Sequence, residues 1–183
     1  MRKSAQGFTL VELLVVIAII AILAAVVVLI INPLELTRRG RDAARLTDLS
    51  NLQQAINVAV QEATNSGSQI LCNGAAYPCF GDSATGGRAA NGTGWVKVNL
   101  GSQQSVSVPT LPVDPVNSTG ALGYHYVYCA DKPSGSLDGW EIDTKLESAQ
   151  QSPKMAQDGG DDSNLYETGS NLALVGVSAG CTY

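Results

Sequence analysis

The chain has 183 residues, 45% of them apolar and 15% charged, with a formal net charge of −5. That acidic balance gives no overall electrostatic footprint for nucleic acid. One histidine and four cysteines offer no Ser-His-Asp or Cys-His set and no Cys-x-x-Cys, and Gly86-Gly87-Arg88 lacks the Gly-Lys-Ser/Thr of a phosphate loop, so the chain reads as a non-enzyme.

Residues 1–7, MRKSAQG, form a polar, basic leader, and residues 8–31, FTLVELLVVIAIIAILAAVVVLII, are almost unbroken apolar. A helix needs about 20 such residues to cross a bilayer. A cleavable secretory signal fits poorly. Its apolar core runs only about 7–15 residues before a small-x-small site. Here Ala18, Ala21, Ala24 and Ala25 never form an Ala-x-Ala triplet, and no polar break comes before Asn32-Pro33. Ala18, Ala21 and Ala25 instead recur at helical spacing, a small-residue stripe of the kind that lets helices approach closely in a membrane. The anomaly is Glu12. An acid inside a membrane span costs about 2.5–3.5 kcal/mol on insertion scales and points to a function.

The run GFTLVELLVVIAIIAILAA, Gly7–Ala25, resembles the type III signal sequence of type IV pilins and type II secretion pseudopilins. The resemblance implies that the prepilin peptidase, a membrane aspartyl protease, cuts between Gly7 and Phe8. It also implies that the new amino terminus at Phe8 is N-methylated and that Glu12 stands where the family places its glutamate. The physics of that acid is independent of the resemblance. Cleavage creates a cation at Phe8, and residues four apart lie on one helix face. Glu12 can pair with its own amine or with that of a neighbouring subunit, which lowers the cost of the acid and, between subunits, fixes axial register. The alternative is a carboxylate that snorkels to the headgroups.

After Asn32-Pro33 the pattern is that of a restarted, amphipathic helix. Leu46, Leu49, Ile56 and Val60 recur at helical spacing with Gln53 the exception, and Asn65-Ser66-Gly67 supplies the stop. Glu35–Arg39, Arg38–Asp42 and Arg45–Asp48 are opposite charges three or four apart. The pilin family has such a stem. Lys/Arg counting opposes the family topology: Arg38, Arg39, Arg41 and Arg45 follow the apolar span, against Arg2 and Lys3 before it. The resemblance and the cysteines both place the leader in the cytoplasm and the remainder outside.

Residues 67–183 read as one small domain of short strands and loops. Strand candidates are Trp95–Leu100, Ser105–Val108, Gly123–Cys129, Trp140–Leu146 and Leu172–Val177, and the extended Pro109–Pro115 links two of them. Between them lie GDSATGGRAANGTG, PVDPVNSTGALG and KPSGSLDG, rich in turn residues. Trp95 and Trp140 read as core anchors, and His125 as a structural residue within a strand. The expected architecture is α+β: a long N-terminal helix, membrane-embedded in its first half and amphipathic in its second, packed on a small antiparallel sheet. Its parts are the leader 1–7, the span 8–31, the stem 32–66 and the outer domain 67–183.

An even cysteine count suits an oxidising compartment, and four cysteines allow three connectivities. Cys72 and Cys79 flank the short loop NGAAYP, which favours local pairing. Cys129 with Cys181 would then tie the tail to the sheet, similar to the C-terminal disulfide loop of many pilins. The acidic turn carrying Asp158, Asp161 and Asp162 offers hard oxygen ligands suited to calcium. The segment from Leu137 to Leu172 resembles the C-terminal part of pseudopilin-like proteins, whose major members hold calcium there. A solvated acidic turn is the alternative, and no other cofactor is indicated.

The resemblance implies a structural subunit, a pilin or pseudopilin assembled through its N-terminal helix into a type IV pilus or a type II secretion pseudopilus. Its partners would be copies of itself, the prepilin peptidase, an inner-membrane assembly platform and lipid before assembly. It would cross the cell membrane once with its globular domain outside. The alternative is a minor, tip-located binding module for a surface or for DNA, the one reading in which nucleic acid is a partner. Processing is testable directly. Beside a prepilin peptidase, the mature chain is expected to begin at Phe8 by N-terminal sequencing, and Gly7→Val to remain full-length.

Overall fold

The computed structural model describes residues 7–63, 67–101, 108–120, 123–132, 138–175, 181 and 183. The chain divides into two compact units, Met1–Thr37 and Arg38–Tyr183. Of the expectations above, those on Arg2, Lys3, Asn65-Ser66, Ser105–Ser107 and Gly176-Val177 lie outside the described residues.

In the first unit, helix α1 spans Leu10–Ile31, a stretch with neither proline nor glycine, and buries none of its side chains. It ends at Asn32, whose backbone is left-handed (φ 45°), a conformation asparagine tolerates better than most residues. Pro33 then opens helix α2 (Pro33–Glu62) at the position where a missing N–H costs nothing. The Asn32 carbonyl accepts from the Glu35 and Leu36 amides at 3.0 and 3.3 Å. One residue thus closes the first helix and starts the second.

In the second unit, α2 from Arg38 onward turns Asp42, Arg45, Leu49, Leu52, Ala55, Ile56 and Ala59 inward. This stripe differs from the expected one: Leu46 is only half-buried and Val60 is exposed. The reason is physical. The buried face begins with two charged residues and includes alanines, so a count of large apolar residues places its centre wrongly.

Strands β1 (Cys79–Asp82), β2 (Val127–Asp131), β3 (Gly139–Thr144) and β4 (Tyr166–Gly169) form one antiparallel sheet in the order β1-β2-β3-β4. Side chains alternate between faces along each strand, so the sheet has two distinct cores. Tyr128, Ala130, Trp140 and Ile142 join Leu49, Leu52, Ile56 and Trp95 in the larger one. Val127 and Cys129 meet Leu174, Val175 and Cys181 in the smaller. Cys72 is bonded to Cys79, and Cys129 to Cys181. The second bond holds the C-terminal segment to the central strand β2.

Three strand expectations need correction. Residues 95–100 are irregular although Trp95, Val96, Val98 and Leu100 are fully buried. Their backbone is satisfied by loop carbonyls: Trp95 N–H donates to Gly87 O at 2.9 Å and Leu100 N–H to Ala90 O at 2.7 Å. Residues 123–126 precede β2 because turns take their hydrogen bonds, with Tyr126 N–H going to Ser83 Oγ and Tyr124 N–H to Ser118 Oγ. Residues 172–175 bend over β3 instead of pairing with it. Strands β1 and β4 were not anticipated. In β1, a Cβ on Gly81 would lie 2.2 Å from Trp95 O, so glycine is what lets the tryptophan backbone cross the strand.

The helix is tied to the sheet domain by a buried ionic network. The Arg45 guanidinium, fully buried, donates to both Asp114 oxygens at 2.6 and 2.9 Å and to Asp42 Oδ1 at 2.8 Å. It also meets Glu147 Oε1 at 2.6 Å and lies 4.9 Å from the centre of the Tyr124 ring. Asp42 in turn accepts from the Glu147 and Ser148 amides, and Arg41 forks onto Glu147. Two of the expected helix pairs, Arg38–Asp42 and Arg45–Asp48, are rearranged: Asp42 faces Arg45, and Asp48 accepts from the Tyr126 hydroxyl at 3.0 Å. Burial works against the Arg45 charge, yet Asp114, Glu147 and Asp42 raise its pKa overall. Burial likewise opposes ionisation of Glu147, but hydrogen bonds from Arg41 and Arg45 hold its pKa below the ordinary glutamate value. The Glu147 share of stability is thus present above the unfolded glutamate pKa of about 4.3 and is lost as pH falls through the folded value. Arg45→Met leaves buried carboxylates uncompensated and should cost about 3–5 kcal/mol in chemical denaturation. A loss under about 1 kcal/mol would rank the network with exposed ion pairs.

Candidate functional site at the amino terminus

Gly7 and Phe8 lie in non-helical backbone just ahead of α1, and Phe8 is 86% exposed. A Cβ built on Gly7 meets nothing within 4 Å, so the fold itself does not require glycine there. Thr9 is extended (φ −80°, ψ 153°) and caps the helix. Its hydroxyl accepts from the Glu12 N–H at 3.3 Å. Glu12 reaches back: its Oε2 accepts from the Thr9 N–H at 2.8 Å and from the Thr9 hydroxyl at 2.7 Å. This reciprocal capping box satisfies orphan N–H groups of the first turn. The helix dipole also favours a carboxylate at this end.

Within the chain Glu12 therefore has Thr9 as its partner. Thr9-x-x-Glu12 ahead of an apolar run is itself a capping signature. Beyond Glu12, the exposed residues of α1 are apolar throughout, from Leu10 at 79% to Ile30 at 77%.

The other candidates lie in the second unit. Asp158 accepts from Gly160 N–H at 3.1 Å and Glu167 N–H at 2.8 Å. Asp162 accepts from the backbone and side-chain amides of Asn164, both at 2.9 Å, and Asp161 is exposed. Asp158 and Asp162 thus shape the loop. Among the described residues, the acids whose ligand atoms converge are Glu141, Asp143 and Glu167, all buried. The sequence held a signal for two of them, since acids two apart on a strand share a face. His125 is nearly buried and stacks on Tyr183 with ring centres 4.6 Å apart.

No curated protein and no solved structure matches this chain. Residues 2–28 match the family model of the prokaryotic N-terminal methylation motif, and the chain thus carries across its leader and first helix the signature of type IV pilins and pseudopilins.

Proposed function

We propose that the chain is a structural filament subunit. Prepilin peptidase releases Phe8 from Gly7, Phe8 is N-methylated, and α1 holds the subunit in the membrane before packing against copies of itself in a pilus or secretion pseudopilus. One observation carries this reading: α1 offers 22 residues with none buried, and its single charge is engaged at the first turn. At 1.5 Å per residue such a helix is about 33 Å long, against a hydrocarbon layer of about 30 Å. An apolar surface of this extent needs lipid or other apolar helices around it. The free space at Gly7 adds support. A glycine the fold does not need is explained by an enzyme that reads it.

The capping box sharpens the role of Glu12. Glutamate and glutamine both complete such a box, but only glutamate brings charge. If the cap were the whole role, Glu12→Gln would assemble like wild type and Glu12→Ala would not. Charge pairing with the amine of a neighbouring Phe8 makes both variants fail alike. The second outcome is expected. Membrane level and processing stay normal, while sheared filament falls on the order of a hundredfold or more, the effect of losing one partner of a desolvated pair. Filament shearing and membrane fractionation in a host with the assembly machinery measure this. Wild-type filament from Glu12→Gln would reduce the glutamate to a helix cap.

A further inference from the structure

The face of the sheet turned away from α2 carries three acids in register. Asp143 on β3 stands opposite Glu167 on β4, and Glu141 lies two residues from Asp143 on the same face. One carboxylate oxygen from each lies within 4.8 Å of the others. Asp143 is fully buried and neither of its oxygens has a hydrogen-bond partner among the described residues. Glu141, also fully buried, uses Oε2 to accept from the Leu174 and Val175 amides at 2.8 and 3.1 Å, while its Oε1 has no partner among the described residues. Glu167 is 3% exposed. The loop before β4 closes over this group so tightly that a Cβ on Gly160 would overlap Glu167 Oε2. The charges acting on Asp143 are themselves acids: Glu141, Glu167 and Asp161.

Buried carboxylates without donors must bind protons or a cation. A calcium ion takes oxygen ligands at about 2.3–2.6 Å, so ligands on opposite sides of it stand about 4.6–5.2 Å apart. Three oxygens within 4.8 Å of one another fit one such sphere. The donor set is all carboxylate, which excludes the N/S preference of zinc and copper. Magnesium keeps several waters in near-octahedral order, which suits a buried site poorly. We propose that Glu141, Asp143 and Glu167 form a calcium site that clamps β3 to β4 and to the backbone at Leu174 and Val175. These ligands differ from the loop aspartates that the sequence suggested. Of those, Asp158 and Asp161 add negative charge nearby.

The proton alternative has a definite signature. Burial, reinforced by Glu141, pushes the Glu167 carboxyl up to about 8, and burial raises Asp143 well above the aspartate range. Acids raised in the folded state hold protons that the unfolded chain has released. Without metal, stability therefore falls as pH rises from about 4.3 toward the folded value. Calcium must displace those protons, so its effect strengthens in the same direction.

The test uses the full chain in detergent, stripped with chelator and then given calcium chloride, with thermal unfolding and titration calorimetry as readouts. A saturable rise in melting temperature is expected at pH 7.5, shrinking at pH 5. Asp143→Asn should weaken calcium binding by more than the roughly 10–100-fold that losing an outer-shell partner costs. It should leave the metal-free chain at least as stable at pH 7.5. Glu167→Gln serves if that variant does not fold. No calcium response in wild type at millimolar concentration would overturn the site and leave a proton-sharing cluster. So would equal binding by wild type and both variants, and an equal response to magnesium would overturn the choice of ion. These residues lie outside α1, so either failure leaves the filament reading intact, and the absence of filaments would leave this one intact.

Discussion

Everything beyond residue 37 depends on one buried cation. Arg45 sits on the inner face of α2 and draws in acids from three places: Asp42 on its own helix, Asp114 in the loop before β2, and Glu147 after β3. An apolar contact could slide by a turn without great loss. A guanidinium with fixed donor directions cannot, because every displaced acid would be left buried and unpaired. The network specifies where the helix meets the sheet domain, and the apolar core around Leu49, Leu52, Ile56 and Trp95 fills the space that it defines.

The same physics has a different outcome before residue 37. There the one acid of α1 is satisfied within one turn by Thr9, and every other residue of that helix is apolar. No side chain of α1 is buried. The second unit has a buried ionic network and an apolar core of its own, while α1 of the first exposes an apolar surface along its whole length.

Legibility in the sequence followed the same division. The leader, the apolar span and Glu12 stand out because they are contiguous, and the helix restart at Asn32-Pro33 is local chemistry. Trp140–Leu146 reads as a strand from its alternation, and the observed strand is Gly139–Thr144. Arg45 and Asp42 were read as half of two surface pairs, since no local pattern says that Asp114 and Glu147, about 70 and 100 residues away, will close around them. Residues 95–100 failed for a related reason. A buried apolar run need not be a strand when loop carbonyls can satisfy its backbone. The Glu141–Asp143–Glu167 group was hidden because only the pairing of β3 with β4 brings the third acid to the other two.

Both tryptophans, Trp95 and Trp140, lie in the core of the second unit, with exposures of 0% and 2%, and α1 has none. Intrinsic indole emission from this protein therefore reports on the sheet domain alone. It follows the melting of that domain and is blind to whether the first helix rests in a micelle, a bilayer or a fibre. A label on α1 would supply the complementary signal, so the folding of one half and the surroundings of the other could be followed in a single sample without deconvolution.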